Sequence, residues 1–508
     1  MLTPVPSVLP PAPPWGVARC MLRSATIGAS LAGVALGCGT PAVRGVAGTA
    51  PAPNVFWTPP SQSPSAPQPA PLVAIPSDLA QRVAQLKLGD VIDIALRNNT
   101  LTRATWADAR AAAASYGAAR GQYFPTIAAS GALQALKTVP TNVNVTQTRQ
   151  FSAATLTGSW LLFDFGGRAG SVAGAREALL AADWTHNATL QNVVLAVDQA
   201  YFQYLGTKAL LAAQQTTLAE AQTNLAAAQQ RHRVGLATIA DELQARTALS
   251  QARLALEANQ GQLEATRGAL ALSMGLPANL PYDIEAVPDT ALPLGILEGV
   301  DTLIARAVQA RPDLAAQRAQ VEQARARVSV ARSQALPSLA VGGTSGETFF
   351  INSPPSAPTS GNSYTATLTL SIPLFSGGAQ VYNVKAASAA ADAAAERANG
   401  FEQQVIYQVF AAYYALRTAT QQVRTSRDLL ASATESEQVA LGRYKAGAGS
   451  LLDLLTAQAA LASARAQAIQ VRFAWNTALA QLARDAGILG LNGGSPLHLQ
   501  TDTTGTNK

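Results

Sequence analysis

The chain has 508 residues, a formal net charge of +6 and only 13% charged residues, so it has length for two or three ordinary domains or one long one. Ala, Gln, Leu and Val dominate its middle, a composition that favours long, closely packed helices over a compact α/β enzyme. Arg and Lys recur singly with no basic run, which argues against nucleic-acid binding, and the two cysteines, Cys20 and Cys38, exclude a disulfide framework or a cysteine metal site in the body.

Met21-Leu22-Arg23 opens a short positive region, followed by an apolar run from Ala25 to Gly37 that stops at Cys38. The run is too short for a membrane-spanning helix, which needs about 20 residues, and fits a signal-peptide core. Residues 1–20 are therefore expected to be an upstream extension ahead of a start at Met21, and 21–37 a signal peptide. Small residues before Cys38 resemble a bacterial lipoprotein processing site, although Ala35 stands where Leu is usual. Cys38 is the expected lipidation site; an ordinary secretory signal is the alternative. Residues 38–77 are rich in Pro, Ala and Ser and read as an extended, semi-rigid tether that buries no core.

From there the sequence repeats at a constant offset of 212 residues. Pro125 falls on Pro337, Leu162-Phe163 on Leu374-Phe375, and Ala200-Tyr201 on Ala412-Tyr413. Arg231, Gly235, Thr238 and Asp241 fall on Arg443, Gly447, Ser450 and Asp453. A tandem duplication follows, with a first repeat over 78–275, a connector over 276–299, a second repeat over 300–487 and a flexible tail over 488–508.

Each repeat reads helix, strand, strand, helix, turn, helix. The first helix is expected over 89–121 and its counterpart over 301–335. In the strands, Leu156, Gly158, Trp160 and Leu162 alternate with Thr155, Thr157 and Ser159, and Tyr364, Ala366, Leu368, Leu370 and Ile372 alternate with Thr365, Thr367, Thr369 and Ser371. One apolar and one Thr/Ser face fits either a membrane barrel with a wet lumen or a soluble sheet packed on a core. After Gly166-Gly167 a helix is expected to about Arg231, roughly 95 Å at 1.5 Å per residue. Leu190, Val197, Tyr204, Leu211, Leu218 and Leu225 recur every seven residues, a coiled-coil seam that Val409, Leu416, Val423 and Leu430 repeat. The helices break at Val234-Gly235-Leu236-Ala237-Thr238 and at Ala446-Gly447-Ala448-Gly449-Ser450, where Gly supplies the stop and Thr238 or Ser450 caps the return helix. Four strands cannot close a barrel in lipid, because open edges leave backbone groups unpaired, so membrane strands would require several copies to share one barrel.

These features resemble the TolC outer-membrane efflux family. The resemblance is carried by Leu86 to Asn99, Phe124-Pro125, Leu162 to Arg168 and Arg443 to Leu455, and covers roughly 78–487. It implies a mainly α fold with a small β part: a long antiparallel α-helical bundle plus four strands per protomer in a shared trimeric 12-stranded transmembrane barrel. It further implies a homotrimer in the outer membrane with its helices in the periplasm, meeting a periplasmic adaptor protein and an inner-membrane pump. On that basis Arg231, Gly235, Thr238, Arg443, Gly447 and Ser450 mark adaptor-docking tips. Asp453 matches an entrance aspartate, and Asp241 and Tyr444 match positions linked to holding the entrance shut; a second acidic position is Thr456 here.

By the same resemblance the protein is a passive exit duct of a tripartite efflux system, with service to a type I protein secretion system as an alternative. A helical scaffold without a channel is the alternative of another class. From the residues alone, Asp241 and Asp453 are equally well read as first-turn carboxylates that stabilise helix N-termini. No cofactor or metal is expected: His186, His232 and His498 lack metal spacing, and Asp164-Phe165-Gly166 has no kinase motif around it.

Overall fold

The computed structural model describes residues 49–50, 52–57, 85–138, 147–285, 293–296, 298–351, 359–490 and 499–501, all within the unit Gly48–Lys508. The expected upstream extension, signal segment and Cys38 lie outside these residues, as does most of the expected tether.

The first repeat contains α1 (Leu88–Asn98), α2 (Thr100–Gly121), β1 (Thr126–Thr138), β2 (Gln147–Phe163), α3 (Gly167–Arg233) and α4 (Ile239–Ser273). Residues Pro293–Ile296 form β3. The second repeat contains α5 (Val300–Ala310), α6 (Pro312–Ser333), β4 (Ser338–Phe350), β5 (Ser360–Ser371), α7 (Ala379–Lys445) and α8 (Leu451–Asp485), and β6 (Leu499–Thr501) follows. Every helix of the second repeat starts and stops 212 residues after its counterpart, as does β4 after β1. The duplication read from four motifs is thus present residue by residue in the helices.

The single helices expected over 89–121 and 301–335 are each two. In the second repeat Pro312 disfavours helical backbone at the residue before it, and Arg311 is extended with φ −71° and ψ 122°. In the first repeat Asn99 takes the same extended geometry and caps α2, its side chain accepting from the Leu101 amide at 2.8 Å. At both elbows the C-terminal end of the return helix packs close. Gly275 and Gly487 follow α4 and α8 with φ of 72° and 73°, and a Cβ at Gly275 would lie 2.8 Å from the Asn98 carbonyl. Gly447 has φ 72° but open space around it. Gly447→Ala is therefore expected to cost only the left-handed conformation, ~1 kcal/mol. Gly275→Ala adds a clash and is expected to cost roughly 2–4 kcal/mol. Thermal melting followed by helical circular dichroism measures both.

Helices α3 and α7 each have 67 residues, about 100 Å of helix. Each packs antiparallel to its return helix, α3 also lies along α6 and α8, and α7 along α6. The main core gathers Ile92, Ile94, Leu190, Val197, Tyr204, Leu270, Leu303, Leu314, Val409, Leu416 and Trp475 between these helices. The expected seam is buried at Leu190, Val197 and Tyr204 but only half-buried at Leu211, Leu218 and Leu225. Close approach rests on small residues: a Cβ at Gly170 would meet Val330 of α6 at 2.9 Å.

The four long strands form one antiparallel sheet in the order β1-β2-β4-β5, with β1 and β5 at its edges. The register aligns apolar positions across strands: Trp160 pairs with Val341, which pairs with Leu368, and Phe163 pairs with Leu339, which pairs with Leu370. The other face carries Thr157, Thr344 and Thr365 in one row. This sheet does not pack its apolar face on a core of the same chain, because Ile127, Leu133, Tyr364 and Leu368 are 73%, 81%, 77% and 67% exposed. That outcome removes the soluble-sheet reading.

Some residues near both ends of the chain pack or pair. Part of the expected tether does bury surface: Ala50, Ala52 and Trp57 are buried. The tail expected to be flexible over 488–508 contains β6, which pairs antiparallel with β3 of the connector. Neither segment is long enough to carry a periodicity signal.

Candidate functional site

The two helical hairpins end in turns built by the same local chemistry. At the end of α3, Gly235 takes φ 78°, its amide donates to the His232 carbonyl at 3.0 Å, and the Leu236 amide donates to Arg231 at 2.8 Å. At the end of α7, Gly447 donates to Tyr444 at 3.2 Å and Ala448 donates to Arg443 at 2.9 Å. Each is a left-handed glycine stop that satisfies the last carbonyls of a long helix. Basic residues crowd both ends, Arg231, His232 and Arg233 in one and Arg443 and Lys445 in the other, complementing the helix dipole.

The return helices begin with matching capping boxes. The Asp241 amide donates to the Thr238 hydroxyl oxygen at 3.3 Å, and the Thr238 amide donates to the Asp241 carboxylate at 2.9 Å. The Asp453 amide donates to the Ser450 hydroxyl oxygen at 3.1 Å, and the Ser450 amide donates to the Asp453 carboxylate at 3.2 Å. Hydrogen bonds from the Ser450 hydroxyl and amide, with Arg443 nearby, hold the exposed Asp453 carboxyl below the usual carboxylate range. The Asp453 carboxyl is therefore anionic at neutral pH, and both aspartates already serve a capping role within the chain.

The structure joins the two tips through a contact the sequence does not announce. The Arg231 guanidinium lies 4.2 Å above the Tyr444 ring and donates to the Tyr444 carbonyl at 3.2 Å. Tyr444 is buried with Ala228, Ala245, Leu451 and Leu454. Tyr444 and Asp241, grouped by the resemblance, thus engage different partners within one chain: Arg231 holds the first and Thr238 the second. Sequence reading also missed the apolar surface of the first tip, where Val234, Leu236, Ile239 and Leu243 are all exposed, Leu236 at 78%. The signal was present in the contrast of Val234 and Leu236 with Ala446 and Ala448 at the matching positions of the second tip.

Asp164-Phe165-Gly166 has a structural role. Asp164 accepts from the Arg168 amide at 2.6 Å where β2 hands over to α3, and Phe165 and Gly166 take φ of 49° and 92°. Arg168 then donates to the Leu161 and Leu162 carbonyls, tying helix to strand. Among the described residues no helix is long and apolar enough to cross a membrane, and no group of His, Cys, Asp and Glu could hold a metal ion.

The exposed apolar sheet with two open edges, carried on paired hairpins of equal length, agrees with a match to the outer membrane efflux protein family over residues 91–276 and 303–487. This chain belongs to that family. It is 30% identical over 432 residues to protein CyaE of Bordetella pertussis, covering 83% of this chain and 89% of that one. It is 25% identical over 415 residues to the probable efflux pump outer membrane protein TtgC of Pseudomonas putida, covering 79% and 82%. A crystal structure of a membrane protein from Pseudomonas aeruginosa matches with a TM-score of 0.70 at 26% identity, covering 84% of this chain and 99% of that chain. The protein is an outer-membrane efflux channel, not an enzyme, and the scaffold alternative falls.

Proposed function

We propose that the chain is the exit duct of a tripartite efflux assembly, in which three copies share a 12-stranded barrel and conduct substrates passively out of the cell. The single observation that carries this reading is the four-stranded sheet with an exposed apolar face and unpaired edges at β1 and β5. In lipid each unpaired backbone group costs several kcal/mol, so β5 of one copy pairs with β1 of the next until the sheet closes. The family resemblance selects three copies. The helices then lie in the periplasm, and the tips meet a periplasmic adaptor and, through it, an inner-membrane pump. The exposed Val234, Leu236, Ile239 and Leu243 offer the adaptor an apolar surface, with Arg231, Gly235, Thr238, Arg443, Gly447 and Ser450 shaping the turns. Cys38 carries the lipid anchor in this reading.

Purification from outer membranes in detergent, with mass measurement and single-channel recording, tests the whole reading; a monomeric, non-conducting product would overturn it. The pump that co-purifies separates an efflux assembly from a type I secretion system.

At the entrance, three copies of Asp453 concentrate negative potential around the axis and bind multivalent cations. Asp453→Asn removes the charge while its side-chain oxygen still accepts from the Ser450 amide. It is expected to abolish block by di- and trivalent cations in planar bilayers with no loss of α8 helicity. Unchanged block would leave Asp453 with the capping role alone.

A further inference from the structure

The N-terminal segment around Ala50 and Trp57 lies on the face shared by α2 and α3. Asn187 engages both backbone groups of Trp57: the Trp57 amide donates to Oδ1 at 2.7 Å, and Nδ2 donates to the Trp57 carbonyl at 2.9 Å. His186 Nε2 lies 3.1 Å from the Val55 carbonyl, and its Nδ1 lies 3.0 Å from the Thr105 hydroxyl. A carbonyl only accepts, so Nε2 carries the proton and Nδ1 accepts from Thr105. Burial pushes the imidazole down to about 4, against the pull of the Val55 carbonyl, so the ring is neutral at neutral pH. Trp106 Nε1 donates to the Ala50 carbonyl at 2.7 Å, and the Trp57 ring meets Trp184 edge-on at 5.2 Å. Burial pushes the Asp183 carboxyl up to about 8 against the Ala50 backbone, so it stands there uncharged.

The duplication supplies an internal control. At the same offset, Trp106, Asp183, Trp184 and His186 fall on Arg318, Ala395, Glu396 and Ala398; Asn187 alone keeps its type, as Asn399. Helix packing common to both repeats therefore does not require these four side chains. They occur in the repeat where the N-terminal segment docks, and in the other their places are taken by alanine or a charge.

We propose that this face of α2 and α3 is a dedicated clasp for a peptide that turns over Ala52–Val55 and then presents an aromatic side chain, and that its occupant is the chain's own segment around Ala50 and over 52–57. Asn187 and His186 read the peptide backbone, Trp106 fixes a carbonyl upstream, and Trp184 receives the aromatic ring. The prolines at 51 and 53 reduce the freedom that docking removes. The clasp fastens the arm to the first repeat without strand pairing and independently of the number of copies in the channel.

Hydrogen exchange on the full-length, detergent-purified protein tests it. The Trp57 amide should be protected, and Asn187→Ala and Trp57→Ala should each speed exchange across 52–57 by about 10-fold or more, from the loss of two buried hydrogen bonds or of the ring contact. Asn399→Ala, at the matching site of the second repeat, should leave that exchange unchanged, and α4 and α8 report whether each variant is folded. Should Asn187→Ala fail to fold, Trp57→Ala decides, because it lies outside the helices. An unprotected Trp57 amide in the unaltered chain, no response to either clasp variant, or an equal response to Asn399→Ala would overturn the clasp.

Discussion

Arg311→Ala is expected to lower stability by about 3–5 kcal/mol, because it removes the buried cation that Asp313 and Asp485 share. The Arg311 side chain is 2% exposed and pairs with Asp313 at 2.5 Å and Asp485 at 3.7 Å. It also donates to Gln408 of α7 at 2.8 Å and to the Asp485 carbonyl at 3.4 Å. Arg484 closes the knot, reaching Asp485 at 2.9 Å and Asn192 of α3 at 3.0 Å. One side chain at the α5–α6 elbow therefore ties α7 and α8 to it. Burial alone would raise the Asp313 carboxyl, but hydrogen bonds and charge from Arg311, with Arg484 behind it, outweigh that and hold it below the usual range. A depressed carboxyl contributes stability that is complete above its ordinary pKa and is lost as pH falls through the lowered one. The Arg311→Ala defect should thus be largest near neutrality and shrink in strong acid. The matching elbow is neutral: Asn99 donates to the Ser273 carbonyl at 3.3 Å, and Asn99→Ala should cost only ~1 kcal/mol. Equal melting shifts for the two variants would show that the charge network adds nothing.

Leu368→Arg should be more damaging still to assembly, at ~2–4 kcal/mol per chain near the bilayer centre, three times over in a trimer. Leu368 sits on β5 in a row with Val341 and Trp160, on the face this reading gives to lipid. Its neighbour Thr367 lies on the opposite face. Thr367→Arg is expected to leave the assembly intact and to shift conductance and ion selectivity. The measurement is the yield of detergent-extracted oligomer from outer membranes, followed by single-channel recording. Equal tolerance of both substitutions would mean that the sheet does not lie in lipid.

The strands and tips were legible because their signals are local. Period-two alternation from Tyr364 to Leu370 and the Gly-then-Thr/Ser turns at 235–238 and 447–450 carry their own geometry. The elbow at Asn99 was not, since asparagine is tolerated within helices, although Pro312 marks the same break in the second repeat. Arg311 reads as an ordinary helix-surface cation; its burial depends on Asp485, far along the chain and brought close only by the return of α8. Trp57 sits in a Pro/Ala/Ser run that reads as linker, and its partners are about 130 residues away. The Arg231–Tyr444 contact likewise spans the two repeats. Contacts of this kind have no period and no motif, so they become visible only when the helices are assembled.

The equal 67-residue span of α3 and α7 makes each a ruler for the other. An insertion in one arm alone would leave the two ends of the molecule uneven by 1.5 Å per residue and rotate every later side chain by about 100°. Growth of such a duct is therefore confined to blocks of seven residues, about 10.5 Å each, entered together in both outgoing and both returning arms. Natural variation in reach should come in those quanta, while single-residue indels should collect in the loops between strands.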